Sequence, residues 1–439
     1  MIGKEEARRL LIDGLNSSSA DETEILLIRG RDGLSRFADS QIHQSTVRQD
    51  DALQVRAVIG KKIGIASTNQ VSELIATVRK ACQAAKLASE KADFVSLPKE
   101  GALDAGLAHY KERTAEFGPG ERAAYIAKLI NQAKDYKVAG MFETSAAAMA
   151  IANTHGVFSF QKQTEADLNA IFSSNDNEAS YVFSVSDNVD EINASDLGVQ
   201  AYEMAELCKN PTTLEPGSYT VILKPQAVAE MLGLLALAGF GALSYQENRS
   251  FMNANIGKVI AAKGITLSDD ASSQNSLGWL FDYEGVKRQK VDLIKDGMAK
   301  DVVYDSFTAN RSVHENTGHA LPASSTYGPL PLNLVLEPGT ATLEELISST
   351  ERGLLINRFH YTNLENPVET IFTGMTRVGT ILIENGKTTK PVANMRFTQS
   401  ILKALLEVEA LTQQRTLAQS LLGYMYVPSL KINNFTFSS

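Results

Sequence analysis

The chain has little of the residue chemistry on which recognisable sites are usually built. Only two of its 439 residues are cysteine, one is tryptophan and six are histidine. Cys82 and Cys208 stand far apart, which excludes a disulfide framework and a paired-cysteine metal site; both read as small core residues on helices. Such sparing use of cysteine fits a reducing compartment, so a cytoplasmic location is expected. Positive charge is also short. Lys and Arg total 42 against 51 Asp and Glu, a formal net charge of −9, and there is no basic stripe with interleaved aromatics. That balance repels phosphate backbones and argues against nucleic-acid binding. Long hydrophobic runs are missing: the longest, Met231 to Leu243, is too short and too rich in Gly and Ala to span a bilayer. The opening MIGKEEARRLLIDGLNSSSADETE has no apolar core of a secretory signal. A soluble protein without membrane attachment is the expectation. Nucleophile-elbow and phosphate-loop motifs are absent as well. Gly239-Phe240-Gly241 is half of a dinucleotide fingerprint, but it follows a helix, so close packing is the reading.

What is present is the pattern of a multi-domain α+β protein. Helical spacing covers Lys4 to Leu15, and Ser72 to Lys91 reads as an Ala-rich helix. Glu24 to Arg31 reads as a strand, and Leu53 to Ala66 as a hairpin turning at Gly60-Lys61-Lys62. A Pro/Gly-containing link near 97–105 closes a first unit, 1–96. The second, 106–212, starts a helix at Gly118-Pro119-Gly120-Glu121. It continues as strands Val138 to Ser145, Ala148 to Asn153, Val157 to Gln163 and Ala170 to Ser173, then a helix Asp196 to Lys209. The first two units together form an N-terminal lobe. The third unit, 213–439, opens with strand Tyr219 to Leu223 and a helix from Gln226 to about Ser244 that is apolar nearly all round and should be buried. Strands are expected at Val291 to Lys295, Val302 to Tyr304, Leu332 to Leu336, Thr380 to Glu384 and Met395 to Gln399. Helices are expected near Thr342 to Arg352 and Ile401 to Leu411. Short turns between strands, such as Glu384-Asn385-Gly386-Lys387, point to mostly antiparallel sheets.

The densest chemistry lies in His314-Glu315-Asn316-Thr317-Gly318-His319. Its letters spell a zinc-peptidase signature, two imidazoles for the metal and a glutamate to activate water. On a regular helix, however, residues five apart diverge by about 140°, against about 40° for residues four apart. Asn316-Thr317-Gly318 is loop composition, and Pro322 ends any helix begun before it. No third ligand is evident, so a polar loop is the competing reading. Asp269-Asp270 and Asp282-Tyr283-Glu284 offer carboxylates to a divalent cation, although acidic pairs in loops are more often solvated. His43, His109 and His155 read as surface or turn residues.

Several segments in order resemble the TldD/PmbA family, described as modulators of DNA gyrase and as intracellular metallopeptidases. They are Ser35-Arg36-Phe37-Ala38-Asp39-Ser40-Gln41-Ile42-His43-Gln44, then Gly64-Ile65-Ala66-Ser67-Thr68-Asn69, then Phe281-Asp282-Tyr283-Glu284-Gly285 with Val291 to Gly297. Thr317-Gly318-His319-Ala320, Ile381 to Lys387 and Val427-Pro428-Ser429-Leu430 complete the set. The resemblance implies a two-lobed α+β architecture. In the family's catalytic branch the HExxxH motif lies on the first helix of the C-terminal domain, and a later cysteine serves as a third zinc ligand. Counting along the helix that begins at Pro225 places Gly233, Leu234 and Ala238 at those three positions, and no cysteine follows Cys208. The resemblance therefore implies the metal-free PmbA/TldE-like branch. No cofactor is expected in this chain, and zinc is expected in a TldD-like peptidase subunit that partners it. Unfolded peptides are the expected substrates, held by β-strand addition, and a homodimer is the expected form when the chain is alone. Two alternatives stay open: an autonomous zinc metallopeptidase using His314, Glu315 and His319, and a regulatory protein acting on DNA gyrase or its inhibitors.

Overall fold

The structure, a computed structural model, describes residues 1–100, 102–174 and 177–438. The link read at 97–105 contains Gly101, which lies outside the described residues. A seven-stranded sheet holds β1 (Glu22–Ala38), β2 (Gln41–Ile59), β3 (Lys62–Thr68), β4 (Asp104–His109), β5 (Lys137–Asn153), β6 (Phe158–Ser174) and β7 (Asn177–Ser186). The order is β3-β2-β1-β5-β6-β4, with β7 also on β6. Only β4 runs parallel to its neighbour. Five helices accompany it: α1 (Lys4–Asn16), α2 (Leu74–Leu87), α3 (Glu112–Ala115), α4 (Pro119–Ile130) and α5 (Ala194–Leu207). Proline at the first position of α4, with the Glu121 carboxylate on the Gly118 N–H, gives that helix a built start.

Strand side chains alternate, so each face of this sheet has its own job. One face buries Leu27, Val55 and Ala150 under α1 and α2, and Phe37, Phe142 and Leu168 under α4 and α5. The other is turned to the C-terminal half, where Leu26, Met149 and Ile151 pack on Phe281. A buried ion-paired triad joins the halves: Arg56 Nη2 donates to Glu24 (2.8 Å) and to Glu284 (2.9 Å), and Glu284 also accepts from Ser306.

The C-terminal half builds an eleven-stranded sheet from β8 (Gly217–Leu223), β9 (Leu267–Asp269), β10 (Val291–Lys295), β11 (Met298–Ala299), β12 (Leu334–Leu336) and β13 (Arg352–Asn366). It continues with β14 (Ile371–Glu384), β15 (Lys387–Pro391), β16 (Arg396–Ser400), β17 (Val408–Ser420) and β18 (Gly423–Ser438). The pairings β8–β13–β14–β16–β18 return to β8, closing a ring. Phe359, Phe372, Phe397, Phe435 and Phe437 pack around one another there, mostly in tilted pairs, at 4.6 Å for the nearest centroids. Helices α6 (Pro225–Gly239), α7 (Ala242–Gln246), α8 (Ser306–Ser312), α9 (Leu343–Ser348) and α10 (Ile401–Leu406) complete the chain. As its composition requires, α6 is buried on nearly every side, packed against β13, β17 and β18.

The architecture is the expected α+β with antiparallel-rich sheets, and several segments differ from their sequence reading. The helix read to Ser244 stops at Gly239. A side chain at Gly239 would meet Ser250 Oγ at 2.4 Å and one at Gly241 the Pro329 carbonyl at 2.2 Å, so the chain turns where there is no room for side chains. Val302 to Tyr304 forms only a single bridge, Val303 to Gly241. The strand pairs read at 138–153 and 157–173 are each one continuous strand. Among the described residues no helix is long and apolar enough to cross a membrane.

Candidate functional site

The signature-like segment does not bring its histidines together. It follows α8 after Val313 in a left-handed conformation (φ 53°), in a stretch without regular structure. His314 stacks on the Tyr304 ring at 4.0 Å, with its Nε2 3.5 Å from Asp301. Glu315 is exposed. His319 is fully buried, which corrects the polar-loop reading for that residue. Both its ring nitrogens are engaged within the protein: Nε2 is 2.9 Å from Asp269 Oδ1 and Nδ1 2.9 Å from the Thr317 hydroxyl. Burial lowers the His319 pKa against the pull of Asp269, so the neutral ring donates from Nε2. The lowered pKa of Asp269 keeps it ionised, held by His319 and the Asn333 N–H against the opposing effect of burial. In this arrangement His319 has no nitrogen free for a metal. The solvated-loop reading of Asp269, Asp282 and Glu284 is likewise overturned, because all three are buried and bonded to backbone or to Arg56.

On α6, Gly233, Leu234 and Ala238 point into packed protein and offer no nitrogen, oxygen or sulfur side-chain atom. The turn between β17 and β18 closes over the first: a Cβ at Gly233 would meet Ser420 Cβ at 3.0 Å and Leu421 N at 3.5 Å. Gln226 fixes that turn to the helix by donating to the Gln419 carbonyl at 2.9 Å. These residues do not fit a zinc ion. The one carboxylate on the helix is Glu230. It accepts from Gln226 (3.0 Å) and from the Phe359 N–H (2.7 Å), and burial raises its pKa to about 7.

From the same turn, Tyr424 reaches across to the N-terminal sheet. Its hydroxyl lies 2.7 Å from Glu165 and 3.0 Å from Asp167. Register places Glu165 opposite Ser145 and then Asp32, with Asp167 opposite Glu143 and then Leu34, so four carboxylates share the face turned to the C-terminal half. Burial raises the pKa of each, that of Glu165 to about 7. A phenol has one proton, so Tyr424 donates to only one of its two carboxylates at a time. Nearby, the Arg358 guanidinium sits 4.0 Å above the Tyr181 ring and within electrostatic reach of Glu230. The result is an acidic face between the halves, on which burial raises every carboxylate pKa and brings that of Glu165 to about 7, beside a cavity that Glu165 and Tyr424 help to line. Such groups hold cations or peptide N–H groups and move protons. Among the described residues no His, Cys, Asp or Glu group has the geometry to hold a metal ion.

None of Glu165, Asp167, Glu230, Arg358 or Tyr424 stood out in the sequence. Glu165 and Asp167, alternating with Ala166 and Leu168, were the available signal, masked by the polar run Gln161-Lys162-Gln163-Thr164 just before them.

Comparison with known proteins agrees with this fold. Residues 216–439 match the PmbA/TldA metallopeptidase C-terminal domain, and 23–86 match PmbA/TldA metallopeptidase domain 1. A metalloprotease of Methanocaldococcus jannaschii is 27% identical over 214 residues, 47% of this chain and 46% of that protein. The chain aligns with less than half the length of the curated relatives it matches. TldE from Thermococcus kodakarensis has the same fold, with a TM-score of 0.88 over 99% of this chain and all of that one at 22% identity. A Bacteroides thetaiotaomicron structure described as a modulator of DNA gyrase follows at 0.85 and 19%, covering both chains in full. With more than half its length matched, the chain is a member of the PmbA/TldD metallopeptidase family.

Proposed function

We propose that this chain is the non-catalytic, PmbA/TldE-type subunit of a zinc peptidase complex that acts on small or unfolded peptides. A TldD-like partner supplies the metal and the general base. The observation that carries the reading is helix α6: Gly233, Leu234 and Ala238, where the catalytic branch needs its ligands and base, offer no donor atom, and a Cβ at Gly233 would already sit a tight 3.0 Å from Ser420 Cβ. The chain's own contribution is the acidic face. Its carboxylates attract the amine or basic groups of a peptide. Beside them, β2 leaves the backbone from Gln41 to Ala52 without a second strand, since β3 pairs only from Leu53 onward. An extended peptide adding there gains main-chain hydrogen bonds whatever its sequence. The test is to purify the chain alone, measure bound zinc and assay cleavage of an unstructured peptide, then repeat with a zinc-bearing TldD-type chain added. Activity is expected only in the mixture. One equivalent of tightly bound zinc with cleavage by this chain alone overturns the proposal.

A further inference from the structure

Beside the acidic face lies a cavity of about 190 Å³ between β6, the 277–279 loop and the β17–β18 turn. One wall is Arg288, only 6% exposed, whose Nε and Nη1 have no hydrogen-bond partner. No described carboxylate forms an ion pair with it. The two nearest in effect are committed elsewhere: Asp269 to His319 and the Asn333 N–H, and Asp282 to the Glu284, Val286 and Ala320 N–H groups. A buried guanidinium without an acceptor is costly, and its flat fork matches the two oxygens of a carboxylate. Gln163, which also lines the cavity, has a buried acceptor without a partner, its Oε1. Leu277, Trp279 and Leu422 give it apolar wall. What would satisfy it is a carboxylate with an N–H a few bonds away on an apolar residue.

We propose that this cavity is a carboxylate subsite, in which Arg288 takes the C-terminal carboxylate of a short peptide and Gln163 accepts its N–H. The volume lies below that of drug-sized pockets and suits one or two residues. The choice of a peptide rests on the function proposed above; the preference for a carboxylate rests on Arg288 alone. The chain by itself is titrated calorimetrically with the dipeptide Gly-Leu, its C-terminal amide, its N-acetyl form and inorganic phosphate. Gly-Leu should bind, and the amide should bind roughly tenfold more weakly or not at all. Equal binding of acid and amide, or no binding of the acid, overturns the proposal. Binding of phosphate without the dipeptide overturns the peptide assignment. If N-acetyl-Gly-Leu binds as Gly-Leu does, the terminus of a longer peptide is the ligand; if only the free amine form binds, it is a small zwitterion. Arg288→Met should abolish the acid-over-amide preference, with Gln163→Leu weakening acid binding as a second variant. Should Arg288→Met fail to fold, the acid-to-amide ratio of the unaltered chain still decides. None of these readouts depends on zinc or a partner, so the peptidase-subunit reading can fail while this one stands, and the reverse.

Discussion

Two neighbouring regions bury ionisable side chains in opposite ways. Around His319, every polar atom of the imidazole and of Asp269 has a partner inside the protein. In the other region, Arg288 and Gln163 are buried with atoms unpaired, and Glu165, Asp167 and Tyr424 have more acceptors than protons. Burial alone does not separate scaffold from site; the hydrogen-bond count does. A saturated network fixes a shape, whereas an unsaturated one is poised to meet something from outside.

Substitutions can break this contrast. The largest effect is expected for His319→Ala, which leaves the Asp269 carboxylate buried without its main partner; about 3–5 kcal/mol of stability should be lost in chemical denaturation. Because burial depresses the His319 pKa, its native form binds fewer protons than the unfolded chain. Its contribution is present above the ordinary value of 6.5 and is lost as pH falls toward the lower folded value. A variant as stable as the parent would show that the network is not structural.

Gly233→His should cost about 1–3 kcal/mol by overpacking against Ser420, and should confer no zinc binding in a metal assay. Glu165→Gln sharpens the other side of the comparison. With its pKa raised from 4.5 to about 7, Glu165 contributes stability that is full below about 4.5 and lost as pH rises through 7. The glutamine variant does not titrate. Relative to the parent it should gain about 1–2 kcal/mol between pH ~5 and ~8, a reduced figure because Glu165 keeps some solvent contact. A flat difference across that range would mean the carboxylate is ionised throughout. The smallest effect belongs to His314→Ala, which removes one partly exposed stacking contact and should cost about 0.5–1 kcal/mol in thermal melts. If both histidine variants lost metal and activity together, the two residues would be ligands after all.

The sequence made the α+β class, the buried helix and the turns at Gly60 and Asn385 legible, since these depend on local pattern. Long strands were harder. Ala146-Ala147-Ala148 in β5 and the polar run Gln161-Lys162-Gln163-Thr164 in β6 interrupt the alternation, so each strand read as two. β17 and β18 carry bulges between Leu411 and Arg415 and between Ile432 and Phe435, which shift the period. Gln163, one of the residues that hid the strand, lines the cavity. The site was illegible for a further reason: Asp269 and His319 are fifty residues apart, and Glu165 and Tyr424 are 259 apart. Only the fold decides that His319 is saturated and Arg288 is not.

The closed ring of β8, β13, β14, β16 and β18 has a kinetic consequence. Thr220 on β8 bonds to Asn433 on β18 across 213 residues of sequence. Everything between must be gathered before that seam can zip, and pairings so distant form slowly. The α6 helix lies against β18, so its apolar surface stays uncovered until the seam closes. Folding of the C-terminal half should therefore be the slow step, and the interval before closure is when this chain most needs a chaperone or a waiting partner.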